Sequence, residues 1–369
     1  MIVYRFLLLW TIFVALTWKK WFIFKVRTVG GRTESKPLLL SYLFAMLPLM
    51  FIVGMRSNIA DTAAYIASFK ALPTTFSEIL KLSGRDHLFY QVSALIKKIY
   101  PHPNFWLSVI AFVQTLLICV TIRKYSDMPG VSFFVFVAST EFIFMLNGMR
   151  QFVAVTILFA AFRFLSQKKY IPYILLIILA AQFHGTAYVM LVGLLVSFIK
   201  PWSKTMYVFV AAFTAAMVFL NPILSGLQVF FEDSEYSSEM AELMASEGVN
   251  IIRAFVALVP FAMGFFFRKN KALFEKRENV LAFNMSMLNA AFFIASSIVG
   301  GNLMARFAEY FTIFQLLTYP ALFKNCFRKG RERNVVVLIF GLMYCVWFWY
   351  QLDVNWNLNY VSEVLGLRL

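Results

Sequence analysis

The chain has 369 residues, of which 61% are hydrophobic and 14% charged, with 43 phenylalanines and a mean hydropathy of +0.74. That balance excludes a soluble globular domain, and the lack of alternating ten-residue strands excludes a membrane β-barrel. The net charge of +16 comes without any zinc-finger, RNA-binding or phosphate-loop pattern, so nucleic acid is set aside as a partner.

In lipid every backbone polar group must be bonded within its own segment, so helices are the spanning elements. Apolar runs of roughly 17–20 residues, several of them shorter, are read at 3–18, 38–55, 105–122, 131–146, 149–165, 170–183, 185–199, 205–220, 251–267, 280–299, 305–323 and 335–350. The pair flanking His184 also reads as one broken or re-entrant element. The fold class is thus all-α: a polytopic integral membrane protein of about twelve transmembrane helices, with residues 1–369 as a single transmembrane domain. Arg5 precedes the first run and Lys19 and Lys20 follow it, the reverse of a secretory signal, so a retained helix with its N-terminus outside is expected. The loops at 19–36, 123–124, 163–169, 200–204, 268–277 and 324–333 hold 23 of the 34 lysines and arginines. The positive-inside rule makes that side cytoplasmic and puts both termini outside. Cys119, Cys326 and Cys345 form no CxxC pair and imply neither a disulfide framework nor a metal site.

Two outer loops are long. In 56–104, the stretch 87–100 repeats Leu88, Val92, Leu95 and Ile99 at helical spacing with Lys97 and Lys98 off that face, which predicts an amphipathic helix in the membrane interface. The loop 221–250 carries Glu232, Asp233, Glu235, Glu239, Glu242 and Glu247 and reads as a solvated loop rather than a lid. The tail 351–369, with Trp356 and Tyr360, suits the outer interface.

The polar residues that interrupt apolar chain are the candidates for chemistry. Arg56 ends the second segment, followed by Asp61 and Tyr65. It either snorkels to headgroups or grips a phosphate as a fork, with Asp61 orienting it or acting as a base. Arg85 and Asp86 stand before the amphipathic stretch, where Asp86 reads as a local helix cap and Arg85 as a further anion ligand. Asn147-Gly148-Met149-Arg150-Gln151 makes a tight outer turn. A charge placed deep in an apolar helix costs about 2.5–3.5 kcal/mol, less near the ends, so Arg150 and Gln151 call for a wet cavity. Glu141 is a partner for Arg150 in a structural ion pair, or a general base. His184 is either a hydrogen-bonded structural residue or a proton carrier at ambient pH. Arg306 has Glu309 and Tyr310 one turn on, giving a local ion pair or a pyrophosphate grip. All of these fall on the outer side.

Taken in order, Arg56–Asp61–Tyr65, Arg85-Asp86 with Phe89-Tyr90, Asn147–Met149-Arg150-Gln151 with Ala154, Phe183-His184, and Arg306 with Tyr310 resemble the EpsG family, the Wzy-like polysaccharide polymerases of bacterial inner membranes. The match covers roughly residues 50 to 320. It departs at Ser57-Asn58-Ile59-Ala60, where that family often has a Gly- and Thr-rich stretch. The resemblance implies a multi-pass, glycosyltransferase-like enzyme of the inner membrane. It would join oligosaccharide repeat units borne on undecaprenyl pyrophosphate at the outer face, without metal or cofactor. Membrane lipid and a chain-length regulator are the implied partners. Arg150 and Arg306 would hold the pyrophosphate, Arg56 the pyrophosphate or sugar, and Arg85, Gln151, Tyr65 and Tyr310 the remaining substrate. His184, Glu141 or Asp61 would serve as base. A flippase of lipid-linked oligosaccharide and a membrane O-acyltransferase are the rival readings.

Overall fold

Each of the twelve apolar segments falls on helical chain. The computed structural model describes residues 2–22, 27–29, 32–34, 37–228, 249–299, 302–356 and 358–368. Among these, five helices are long and apolar enough to cross a membrane, and six more apolar helices are shorter. Helix α1 (Ile2–Trp21) packs along α7 (Pro129–Ala138), and α2 (Leu39–Gly54) along α6 (Pro103–Tyr125). Gly54 permits the second approach, because a Cβ there would overlap the Ser108 hydroxyl.

The centre is built from α8 (Met149–Ser166) and α14 (Arg277–Val299), the most enclosed of the long helices. Around them stand α9 (Tyr170–Ala181), α10 (Met190–Val196), α11 (Lys204–Gln228), α12 (Ile251–Phe266), α15 (Asn302–Thr312), α16 (Gln315–Cys326) and α17 (Arg331–Tyr350). A short helix, α13 (Lys271–Glu275), joins α12 to α14. Several buried polar groups of α14 bond to neighbouring helices and turns. Asn284 Nδ2 donates to the carbonyls of Val196 (3.1 Å) and Ile199 (2.9 Å), and the Ser286 and Thr318 hydroxyls meet at 2.9 Å.

Three apolar segments read as single helices are broken. The segment 131–146 stops at Ala138, turns left-handed at Thr140 (φ 66°) and continues as a 3-10 turn over Glu141–Met145. The segment 185–199 opens as a 3-10 turn, Gly185–Val189, before α10, and 305–323 divides into α15 and α16. Irregular backbone at membrane depth is tolerated only where protein covers it or a cavity adjoins it.

The loop 56–104 contains three helices: α3 (Thr62–Ala71), α4 (Phe76–Lys81) and α5 (His87–Ile99). The face of α5 that packs on protein is Phe89, Ser93 and Ile96, while Leu95 and Ile99 of the predicted interfacial stripe are exposed. The reason is a specific anchor: Trp106 donates to Ser93 Oγ at 3.0 Å and stacks on Phe69 at 4.6 Å. Leu95 and Ile99 of the expected stripe are thus left free to face lipid, while Val92 packs against the Trp106 cluster.

The tail also differs from expectation. Tyr360 is fully buried, its hydroxyl donating to the Ile52 carbonyl at 2.8 Å, and a hairpin of Val361–Ser362 with Leu367–Arg368 follows it. The side chain of Trp356 and the acidic residues from Glu232 to Glu247 lie outside the described residues.

Candidate functional site

The starts of α3, α8, α12 and α15 and the break before Gly185 meet around a cavity of about 360 Å³. Asp61, Tyr65, Arg150, Gln151, His184 and Arg306 all line it, together with Arg253 and Glu309. The remaining predicted residues stand elsewhere. Arg56 is fully buried beneath; it donates to Thr62 Oγ1 (3.0 Å) and the Val53 carbonyl (2.5 Å), with Met149 Sδ at 3.4 Å. Tyr310 is buried and meets the Thr186 hydroxyl at 3.0 Å, tying α15 to the turn after His184. Glu141 is buried behind the lining, beside Glu309. Arg85 is half-buried next to Asp86 and contributes to its electrostatic surroundings.

The organising residue is Asp86, which the sequence presents as a helix cap. Its side chain makes no capping bond. It sits in the left-handed region (φ 56°, ψ 26°), a conformation Asp tolerates better than most residues, and that turn aims the carboxylate away from α5. Oδ2 accepts from Arg150 Nη1 at 2.9 Å and lies 3.2 Å from His184 Nδ1, while Oδ1 accepts from the Gly185 backbone N–H at 3.3 Å. The start of α5 is instead held by its backbone, with the Leu88 N–H donating to the Gln182 carbonyl at 3.2 Å. Two distant chain segments are therefore locked together at the point where the carboxylate works.

An ionised carboxylate only accepts, so the His184 proton belongs on Nδ1. Nε2 is then the basic nitrogen, and among the described residues it has no hydrogen-bond partner. Burial pushes the Asp86 carboxyl up, but the bond to and charge of His184, with the charges of Arg150 and Arg85, outweigh it and hold the group below the ordinary carboxylate range. His184, in the break between two helices, goes below its ordinary value: burial lowers it, Asp86 opposes, and Arg150 and Arg85 add to the fall. A neutral imidazole held by a carboxylate results.

The cations are fixed as firmly. Arg150 Nη1 also donates to the Tyr90 hydroxyl at 3.2 Å, and its guanidinium bonds to Tyr65. Gln151 Nε2 donates to the backbone carbonyl of Arg306 at 2.5 Å, coupling the first turn of α8 to α15. Glu309, expected as a neighbour for Arg306, accepts from Arg253 Nη2 at 2.7 Å through Oε1. Glu141, expected as a partner for Arg150, belongs to this second group. Sequence reading passed over Asp86 as a site residue and Arg253 altogether. The signal for Arg253 was present, since it is a charge in the first turn of an apolar helix, as Arg150 is. Among the described residues no group of three His, Cys, Asp or Glu is placed to hold a metal ion.

The model of the EpsG family matches residues 39–361. No curated protein and no solved structure matches the chain.

Proposed function

The chain belongs to the EpsG family, polysaccharide polymerase-like membrane proteins, and on that footing we propose that it joins oligosaccharide repeat units carried on undecaprenyl pyrophosphate at the outer face of the inner membrane. The observation that carries this reading is the meeting of an Asp86-held His184 with Arg150, Arg253 and Arg306 around one cavity. The acceptor hydroxyl oxygen bonds to the anomeric carbon of the donor unit as the carbon–oxygen bond to pyrophosphate breaks. The bonding pair leaves with the pyrophosphate, and the hydroxyl proton passes to His184 Nε2, since Nδ1 is committed to Asp86. Charge grows on the leaving pyrophosphate, and guanidinium groups already held in place stabilise it without reorganising. Arg150 and Arg306 take this role, with Arg253 as a third cation. Asp61 and Tyr65 stand at the rim, where the acceptor sugar would be oriented. Arg56 supports the floor rather than touching substrate.

The test is a deletion strain carrying His184→Ala, Arg150→Ala or Arg306→Ala. The expected result is collapse of the polysaccharide ladder to single capped units outside the cell, and a full ladder in all three rejects the assignment. Units trapped inside would instead indicate a flippase, and lost acetyl groups with an intact ladder an acyltransferase.

A further inference from the structure

A second cavity, of about 450 Å³, lies at the other end of α12. Arg253 borders the first cavity and Arg268 the second, so the helix separates them by about 22 Å at 1.5 Å per residue. Five cations line it, Lys200, Arg268, Lys269, Lys271 and Arg277, and no carboxylate does. Loop cations on this side of the chain are expected from topology alone. Their arrangement here goes further. Lys324 and Lys276 converge on Asp127, at 2.5 and 3.8 Å, whereas the five around the cavity make no ion pair among the described residues. Like charges gathered in one concavity repel unless an anion joins them.

The wall is built as well as charged. Trp202 closes it from a left-handed backbone conformation (φ 60°), one that a bulky side chain rarely adopts. Phe261, Phe283 and Phe265 grip its ring at 5.0, 5.4 and 5.7 Å. Its indole Nε1 and Arg277 Nε are buried donors without an acceptor among the described residues. The exposed Phe198 gives the lining an apolar flank, and the exposed Leu195 and Phe266 stand two residues from lining positions. We propose that this cavity binds a phosphate group, either that of an anionic phospholipid headgroup or that of a soluble phosphoryl compound. The cations neutralise it, and the apolar flank accommodates acyl chains where a lipid carries it. The site is independent of the polymerase chemistry.

The experiment uses the purified full-length protein in vesicles of phosphatidylcholine with and without phosphatidylglycerol, and native mass spectrometry counts the phosphatidylglycerol retained. The variant Lys200→Gln/Lys269→Gln/Lys271→Gln removes three exposed cations from the rim. The control Lys168→Gln/Lys169→Gln/Lys329→Gln removes three exposed lysines that do not line the cavity. The expected result is retention at least about tenfold weaker in the first variant and unchanged in the control. Should the triple variant elute aggregated, Lys271→Glu alone carries the same comparison. Added inorganic phosphate separates the sources: lipid that stays bound assigns the headgroup, and lipid displaced by phosphate, with phosphate retained only by the unmodified cavity, assigns the soluble anion. Equal losses in both triple variants, or retention of neither ligand, would overturn the site.

Discussion

Asp86 shows how one side chain can be read correctly as polar and wrongly as local. An Asp just before an amphipathic stretch is a helix cap by sequence, yet its partners are 64 and 98 residues away. No spacing rule reaches that far, because such contacts are set by tertiary packing. Arg150, His184 and Arg306 were legible for the opposite reason, since charge in apolar chain is conspicuous wherever it occurs. Asp86→Asn keeps the shape but allows the wrong His184 tautomer, and the polymerisation rate in proteoliposomes should fall by between about 10²- and 10⁴-fold with little change in Tm. A pH profile separates this from mere misplacement. The depressed value of His184 means that the folded site resists protonation, so its contribution is complete above about pH 6.5 and fades as pH falls through the folded value. Asp86, also depressed, adds a second loss further into acid, below about pH 4. The acid limb of the rate profile should therefore lie below pH ~6.5. In Asp86→Asn it should move lower still, because the carboxylate that favours imidazolium is gone, and an unmoved limb would remove His184 from proton transfer. Arg56 and Arg306 should part company in the same assay series. Arg56→Ala strips buried acceptors of their donor and should cost about 2–4 kcal/mol of stability, seen as a lowered Tm. Arg306→Ala, at a half-exposed cavity wall, should leave Tm in place and abolish the ladder.

At the level of elements, the helical segments were readable, and the break at His184 was one of two readings, but the breaks after Ala138 and within 305–323 were not read. Hydropathy averages over a window, and Phe142, Ile143, Phe144 and Met145 carry the apolar run through the turn despite Glu141. What sets the break is backbone conformation, which composition does not report. The functional consequence is that α8 starts where the cavity is. Gly148 holds φ at +76° immediately before Met149, and the nearest atom to a Cβ built there is 3.5 Å away. Space is not the obstacle; the left-handed backbone is. Gly148→Ala should cost about 1–2 kcal/mol through strain alone and displace the first turn of α8, so Arg150 and Gln151 lose register with α15. Gly185 has no positive φ and open space around its missing side chain. Gly185→Ala should therefore leave Tm unchanged, with its N–H still donating to Asp86. Thermal melts of the two variants decide the point, and equal destabilisation would show that the turn before α8 does not depend on its left-handed glycine. The same limit explains α5. Periodicity found the stripe that leaves Leu95 and Ile99 exposed, and it missed the packing face because that face is centred on polar Ser93, which bonds Trp106.

For the whole molecule, charge is divided between two ends in a way that gives each a different chemistry. One cavity mixes Arg150, Arg253 and Arg306 with Asp61 and Glu309, and the other holds cations without a counter-charge. Mixed charge suits a site that must bind an anion, move a proton and let a product go. Unopposed charge suits a site that holds an anion and keeps it. The loop-cation count predicts that the second end lies in the cytoplasm and that the first end faces out. That orientation is what the proposed reaction needs, and it can be measured without any substrate. With Cys326 and Cys345 replaced by Ser, and Cys119 buried, the chain has no accessible native thiol. Asn58→Cys lies at an exposed position close to Asp61 and the first cavity, and Lys329→Cys at an exposed position in a basic loop. A membrane-impermeant maleimide applied to intact spheroplasts should label the first variant and leave the second unlabelled until the membrane is permeabilised. The reverse pattern would put the His184 cavity on the cytoplasmic side. Polymerisation at the outer face would then be untenable, however well the arginines converge, because the cavity would open to the side of the bilayer opposite the lipid-linked units that are to be joined.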